Sequence, residues 1–305
     1  MSEKYYSEQD EIRRKTEKSA SKAVIITGLV MFIAGLILAV IGGIICHNTD
    51  LNKYYETADF NNTFSVSDVN NISIDMENCD ITIKKTNEKD IRVTAASVSE
   101  KYKAELSGDT LMISSPKTKN FMVNITLFTN IDPKVEIALP EKEYEKLDLR
   151  SGAGDIDMSD LEFGDIIFNT GTGDNELNNI TCGKMDITCG VGDSEISNIT
   201  CDSCSFVAGT GDMEIRNITS KGELRIKSGV GDTDISGAEV GGFSFETGTG
   251  DTEFAGTVNG NIKVDAGVGD IELALTNPES DFGAGGKYTM SIEKGTGDKK
   301  ITYNN

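Results

Sequence analysis

Eight copies of the tetrapeptide Gly-x-Gly-Asp lie between residues 152 and 298, and their spacing constrains the fold of this chain more than any other feature. Successive copies are separated by 19, 19, 19, 20, 19, 19 and 28 residues. A fixed period of this length is typical of stacked-repeat proteins, in which a unit too small to bury its own apolar face packs that face against its neighbours. The chain is therefore predicted to be a repeat protein whose units begin at Gly152, Gly171, Gly190, Gly209, Gly229, Gly248, Gly267 and Gly295.

Each unit contains two short segments in which polar and apolar residues alternate. The acidic residue two positions after the aspartate is followed by an apolar residue, as in Glu195-Ile196. Before the next Gly-x-Gly-Asp, apolar residues stand two apart, as do Cys204 and Phe206. A period of two residues indicates strands with one face inside and one face outside, so the array is predicted to be all-β.

Two corners are expected in each unit. The paired glycines permit positive φ at a tight corner, where the aspartate can accept hydrogen bonds from local backbone N–H groups. The opposite corner reads Asn-Ile-Thr in three units, from Asn179, Asn198 and Asn217, which predicts an internal asparagine ladder. The predicted corner glycines are Gly171, Gly173, Gly190, Gly192, Gly209, Gly211, Gly229, Gly231, Gly248, Gly250, Gly267 and Gly269.

Two architectures fit this pattern: a β-solenoid with one coil per repeat of about 19 residues, and an open antiparallel meander of hairpins. The solenoid stacks like residues on like and needs no second sheet to cover a long flat face, so it is favoured. Its crossovers predict a right-handed β-helix.

The charge of the chain restricts its partners. The net charge is −21, and residues 151–305 carry 27 acidic against 10 basic residues, which is −17 of that total. Such a surface repels a phosphate backbone, so no nucleic-acid partner is expected.

Residues 23–46 contain no charged residue. As a helix at about 1.5 Å per residue they extend about 36 Å, enough to cross a hydrocarbon core of about 30 Å. A single transmembrane helix is therefore predicted. A cleaved signal peptide and a lipoprotein signal ending at Cys46 remain alternatives, although the apolar run is long for either and Ile45 stands where a small residue is wanted.

The flanking charges predict the orientation of this span. Five basic residues lie in the ten residues before it, whereas only Lys53 follows closely, so residues 1–22 form a cytoplasmic tail and the chain from His47 onward is extracytoplasmic. On one face of the helix the small residues Gly35, Ala39 and Gly43 are four apart, a pattern through which two copies could self-associate.

The remainder is predicted to be one extracytoplasmic domain after a polar connector. Residues 47–62 form the connector, and residues 63–150 alternate like strands but have no strict repeat. Because the terminal units of a solenoid are usually irregular, residues 63–150 are predicted to be a degenerate lead-in to the regular repeats of residues 151–305. The domain therefore spans residues 63–305.

The chain also resembles a known family in three features. These are the segment Val135–Pro140, the segment Leu147–Asp155 that leads into the first Gly-x-Gly-Asp, and the serial repeats after a single N-terminal span. The combination is similar to the bacterial putative-adhesin family of β-strand-repeat envelope proteins of unknown function, over about residues 63–303. The resemblance implies a membrane-anchored extracytoplasmic β-solenoid of a Gram-positive-type bacterium, some relatives being associated with envelope stress. It carries over no catalytic or ligand-binding residues.

The repeat aspartates are the main candidates for chemistry. In a one-coil solenoid they stack about 4.8 Å apart, so each carboxylate must be satisfied by backbone N–H groups or share a cation with its neighbours. Calcium is the natural hard cation for such oxygens, but the known calcium β-roll pattern has another glycine and another aspartate spacing. Structural capping is favoured over weak calcium binding, no other cofactor is expected, and the ladder candidates are Asp174, Asp193, Asp212, Asp232, Asp251 and Asp270.

The cysteines are expected to be small apolar core residues. Cys182 and Cys201 occupy the same repeat column one coil apart, so a disulfide between them is an alternative in an extracytoplasmic domain. Cys201-x-x-Cys204 alone is a weak signal for a metal or redox site.

A non-enzyme is favoured, because the one histidine, His47, stands at the membrane border and the repeated acids suit a solvated face. The sequence therefore predicts a non-catalytic, adhesin-like or sensing scaffold in the cell membrane that binds a cell-wall polymer or an envelope protein. The alternatives are an envelope-stress accessory acting on membrane partners and, further off, a carbohydrate-active β-helix enzyme.

Overall fold

The computed structural model describes residues 57–116, 132–283 and 285–304. No helix within these ranges is long and apolar enough to cross a membrane. The predicted tail, membrane span and small-residue helix face all fall in residues 1–46, outside the described residues.

The described fold is built from strands, with two short 3-10 helices at Val66–Asp68 and Glu279–Asp281. The strands are β1 (Thr57–Phe64), β2 (Asn71–Asn78), β3 (Asp80–Thr86), β4 (Ile91–Ser99), β5 (Lys103–Ser107), β6 (Thr110–Ser114), β7 (Lys134–Pro140), β8 (Tyr144–Ala153), β9 (Ile156–Thr172), β10 (Asn175–Val191), β11 (Ser194–Thr210), β12 (Met213–Val230), β13 (Thr233–Thr249), β14 (Thr252–Val258), β15 (Ile262–Val268), β16 (Ile271–Leu275), β17 (Met290–Thr296) and β18 (Lys299–Tyr303).

The regular repeats form a β-solenoid with one coil per repeat. Strands β9 to β13 each continue through 17 or 18 residues. Every pairing among β8 to β18 is parallel, and equivalent residues of successive coils face each other, as Leu177 faces Ile196. The predicted solenoid is confirmed and the antiparallel meander is excluded. The right-handed sense stays a prediction.

Each coil has one bend more than expected. Buried residues of a straight strand are two positions apart, but in β10 the spacing is three at two places. One lies between Leu177 and Ile180 and the other between Cys182 and Met185, and the chain bends at both. The third bend is the Gly-x-Gly-Asp corner. Alternation resumes after each bend, so a single continuous column of apolar core runs through the stacked coils.

The single 20-residue interval leaves the Gly-x-Gly-Asp corners aligned. The register between β11 and β12 shifts after Cys201, and that between β12 and β13 shifts between Ser220 and Glu223. The extra residue is thus absorbed at the bend near Lys221. At the glycine corner Thr210 faces Val230 in the normal register.

The lead-in stacks out of sequence order. The coil made by β2 and β3 lies between two others, because β2 pairs with β6 on one edge and β8 on the other, and β3 pairs likewise with β7 and β9. Antiparallel strands β1, β4 and β5 flank these coils. No fixed repeat spacing marks this arrangement in the sequence.

The predicted connector and asparagine ladder both differ from the structure. Residues 57–62 belong to β1 rather than to a connector, because Phe60 packs on Tyr102 with 5.2 Å between ring centroids, a tertiary contact that the polar local sequence conceals. The asparagine ladder is on the exposed surface: Asn217 Nδ2 donates to Asn198 Oδ1 at 3.1 Å. The outward position follows from the left-handed backbone at Asn198, with φ of 56°.

Two separate constraints require glycine at the second glycine position of each Gly-x-Gly-Asp corner. Gly211 has φ of +133°, and a Cβ built on it would lie 2.1 Å from the carbonyl oxygen of Gly192 in the preceding coil. A side chain at this position would therefore both adopt an unfavourable backbone conformation and clash with the backbone of the preceding coil.

Replacing Gly211 by alanine is expected to destabilise the domain by about 2 kcal/mol or more, lowering Tm by roughly 4–8 °C. Gly242→Ala is the matched control, because its Cβ would meet no atom closer than 3.5 Å. Thermal unfolding of both variants by circular dichroism tests the difference. Equal Tm values would contradict the tight approach at the corner.

Candidate functional site

A continuous ladder of hydrogen bonds joins the Gly-x-Gly-Asp corners. In each coil the backbone N–H of the corner aspartate donates to Oδ1 of the aspartate one coil earlier, as Asp212 does to Asp193 at 2.8 Å. From Asp155 to Asp298 the seven bonds measure 2.6–2.9 Å. The carboxylates therefore cap backbone donors between coils.

The ladder begins one coil before the first Gly-x-Gly-Asp. The N–H of Asp155 donates to Oδ1 of Asp80 at 3.0 Å, so Asp80 is the first member. Sequence reasoning missed it because Asn78-Cys79-Asp80 lacks the glycines. The signal that could have found it is the alternating segment Ile81-Thr82-Ile83 directly after an aspartate, as in the repeats.

The hydrogen bonds of the ladder act against the electrostatic repulsion between its neighbouring carboxylates. Two carboxylates about 4.8 Å apart repel each other by roughly 1 kcal/mol in water. A hydrogen bond to a charged group contributes about 1.5–3 kcal/mol. Each hydrogen bond between coils therefore offsets a repulsion of this size.

A second acidic column runs beside the ladder, two residues further along each coil. Because alternate residues of a strand point the same way, both columns lie on one face. Between their first members is an open groove of about 370 Å³ lined by both columns, including Asp155, Asp174, Glu176, Asp193 and Glu195. We name the two columns together the acidic face: Asp155, Asp174, Asp193, Asp212, Asp232, Asp251 and Asp270 with Asp157, Glu176, Glu195, Glu214, Asp234, Glu253 and Glu272.

Basic residues neutralise little of this face. Glu214 pairs with Arg216, and Glu272 pairs with Lys300 of the last coil. No other acid of the second column has an ion pair within the described part of the chain. The face therefore presents exposed carboxylates in regular rows.

The arrangement does not assemble a compact metal site in the described ranges, where no group of three or more His, Cys, Asp or Glu side chains is placed to hold an ion. The ladder candidates Asp174, Asp193, Asp212, Asp232, Asp251 and Asp270 stand in one line, each with Oδ1 engaged by a backbone N–H. Weak calcium binding at their remaining oxygens stays a prediction.

The five described cysteines are buried free thiols. Cys182 faces Cys201 in register, and both are free thiols in this structure; the disulfide alternative stays a prediction. Burial raises the pKa of Cys182, and that of Cys79, to about 12. The Cys204 thiol donates to Cys201, which lowers the pKa of Cys201 and raises that of Cys204. These thiols belong to the core.

Comparison with protein families identifies one match. The sequence model of the Toastrack DUF4097 family matches residues 69–292, which include the lead-in from Val69 and nearly all the repeats. None of the curated proteins matches the chain significantly.

Several solved structures share the fold. A "putative lipid binding protein" of Parabacteroides distasonis is 16% identical with a TM-score of 0.53, covering 80% of this chain and 97% of its own. A "putative adhesin" of the same species is 16% identical, and one of Parabacteroides merdae is 12% identical; each has a TM-score of 0.51 and covers 81% of this chain and 98% of its own. At these identities the likeness shows the fold alone.

Two substitutions of Asp212 distinguish the contribution of its hydrogen bond from the contribution of its negative charge. Asp212→Asn keeps an oxygen acceptor for the N–H of Asp232 and removes one like charge, so the free energy of unfolding is expected to stay within about 0.5 kcal/mol. Asp212→Ala leaves the donor unpaired and is expected to cost about 1–3 kcal/mol, or roughly 2–12 °C in Tm. Thermal unfolding measures both. Equal losses in the two variants would show that the hydrogen bond contributes nothing.

Proposed function

Because the chain belongs to the Toastrack DUF4097 family, whose members are grouped without an assigned function, we propose a role from the geometry of its surface. The protein is a membrane-anchored, extracytoplasmic, non-catalytic scaffold that binds a basic segment of another envelope protein on its acidic face. The anchor is the uncharged segment of residues 23–46.

The observation that carries this proposal is the two-column array of exposed carboxylates. The acids Asp157, Glu176, Glu195, Asp234 and Glu253 lie in one column, and none of them has an ion pair with a basic residue of the described ranges. A row of like charges about 4.8 Å apart is an unfavourable surface in isolation, and an extended polycation relieves its repulsion along the whole length.

The negative charge of the acidic face favours a basic protein segment over a phosphate-rich polymer as the partner. A wall polymer rich in phosphate is repelled by the acidic face, whereas a lysine- or arginine-rich segment is attracted. The similar structures described as adhesin and lipid-binding proteins are consistent with a binding role on this fold. A non-catalytic role is supported by the engagement of ladder carboxylates with backbone N–H groups, which fixes them as structural caps.

Charge-neutral variants test the face directly. The triple variant Glu176→Gln, Glu195→Gln, Glu253→Gln removes three charges from it, whereas Glu162→Gln, Asp165→Asn, Glu239→Gln removes three from exposed positions on other faces. Binding of a fluorescent (Lys-Gly)6 peptide to the full chain in detergent is measured by anisotropy. The first variant is expected to weaken binding about tenfold and the second less than twofold, with affinity falling as salt rises.

Equal weakening in both variants would contradict the proposal, because binding would then follow net charge rather than the acidic face. Co-sedimentation of the full chain with isolated bacterial cell walls is the companion measurement. Retention on walls that survives the first triple variant would place wall polymer ahead of a basic protein segment as the partner.

A further inference from the structure

The last described coil has an edge with no partner strand among the described residues. Strand β17 pairs only with β15, and β18 only with β16, within the described part of the chain. The N–H of Asn304 donates to the carbonyl of Leu275, so by alternation the N–H groups of Tyr303 and Ile301 point to the open side. Such an edge is a template for another strand.

The aspartate ladder also stops at this edge with its last acceptor free. Oδ1 of every ladder aspartate from Asp80 to Asp270 accepts the N–H of the next coil. Asp298 donates its own N–H to Asp270, but its carboxylate has no hydrogen-bond partner among the described residues. The end of the solenoid therefore offers an incoming strand the same acceptor that joins all earlier coils.

The apolar layer of the last coil is only partly covered. Met290 and Ile292 stack on the fully buried Ile262 and Val264, yet both are partly exposed. Ile301 and Tyr303 are likewise partly exposed above Leu273 and Leu275. Phe282, from the excursion between β16 and β17, lies over Tyr303 with 6.4 Å between ring centroids.

Two lysines replace core residues in this layer. Lys294 stands in the column of buried Ala266, and Lys299 in the column of buried Ile271. The Nζ atom of Lys294 is buried, and no group in the described part of the chain forms a hydrogen bond with it. An apolar coil stacked on this end would bury both ammonium groups unpaired, which is costly, so the lysines oppose addition of a coil like those of this chain.

The lysines also make the end locally basic. Residues 287–305 contain four lysines and two acidic residues, whereas residues 151–286 contain 25 acidic and six basic residues. An acidic side chain placed over Lys299 in an added strand would pair with its ammonium group, so that this charge is not buried unpaired. The repeat coils of this chain carry Ile, Asn, Ser, Met or Thr in that column and so supply no such carboxylate.

We propose that the C-terminal coil is a docking edge for an extended acidic segment of a partner protein, which adds as a strand beside β18. Its backbone pairs with the open N–H and C=O groups of Ile301 and Tyr303 and donates to Asp298. An acidic residue lies over Lys299, and apolar residues two and four positions later cover Ile301 and Tyr303. This edge is distinct from the acidic face and independent of its proposed role.

The probe is the peptide acetyl-Gly-Glu-Glu-Val-Ser-Val-amide, compared with its Gln-Gln analogue, on the full chain in detergent. The Glu-Glu peptide is expected to bind about tenfold more tightly and to protect the amides of Ile301 and Tyr303 from hydrogen exchange. Two N-methylated versions, each blocking alternate amides, distinguish strand addition. The version methylated at the amides that face β18 is expected not to bind. The version methylated at the other amides is expected to bind nearly as the unmodified peptide does, because those amides point away from β18.

The double variant Lys294→Met, Lys299→Met is expected to lose the preference for the Glu-Glu peptide and to self-associate in sedimentation velocity. Lys89→Met, Lys184→Met removes two exposed lysines elsewhere and is expected to behave as the native chain does. Equal binding of the two peptides by the native chain, or equal tolerance of both N-methylated sets, would overturn the proposal. So would self-association of the native chain through this edge.

Discussion

The structure depends on the close approach of bare backbone at the Gly-x-Gly-Asp corner. A Cβ at Gly250 would lie 1.9 Å from the carbonyl oxygen of Gly231, and a Cβ at Gly209 would lie 2.4 Å from that of Gly190. Neither glycine column can therefore carry a side chain while the coils remain stacked. This approach brings each aspartate within hydrogen-bond distance of the next coil, and it fixes the register in which every other column is stacked.

The stacking of equivalent residues in successive coils stabilises the core of the solenoid but brings like charges together on its surface. Inside, it aligns apolar residues such as Leu177 and Ile196 in continuous columns that bury each other. Outside, it aligns acidic residues at the strand spacing, which is unfavourable unless something compensates. The ladder aspartates are compensated by backbone N–H groups, whereas only Glu214 and Glu272 of the neighbouring column have an ion pair among the described residues. This asymmetry is the basis of the binding role that we propose for the acidic face. In the last coil Lys300 occupies the position of the second acidic column, so the sign of the charge reverses there.

The repeat spacing was sufficient to predict the one-coil solenoid, because a side-chain period of two and a unit period of 19 residues leave few ways to bury the apolar positions. It was not sufficient for the lead-in. The insertion of the β2–β3 coil between β6–β7 and β8–β9 depends on tertiary pairing without a repeated spacing. Asp80 joined the ladder without glycines, and Asn198 turned outward because of its left-handed backbone. The sequence alone does not single out Lys294 and Lys299, because their role depends on the register that places them in the columns of buried Ala266 and Ile271.

Hydrogen exchange at the corner amides tests the central claim most directly. The N–H groups of Asp193, Asp212 and Asp232 belong to exposed corner residues, and each donates to a carboxylate one coil away. If the ladder joins the coils, these amides exchange as slowly as the strand amides of Leu177 and Ile196, since both open only when coils separate. Exchange at the rate of an unstructured peptide, with the strands still protected, would contradict the account.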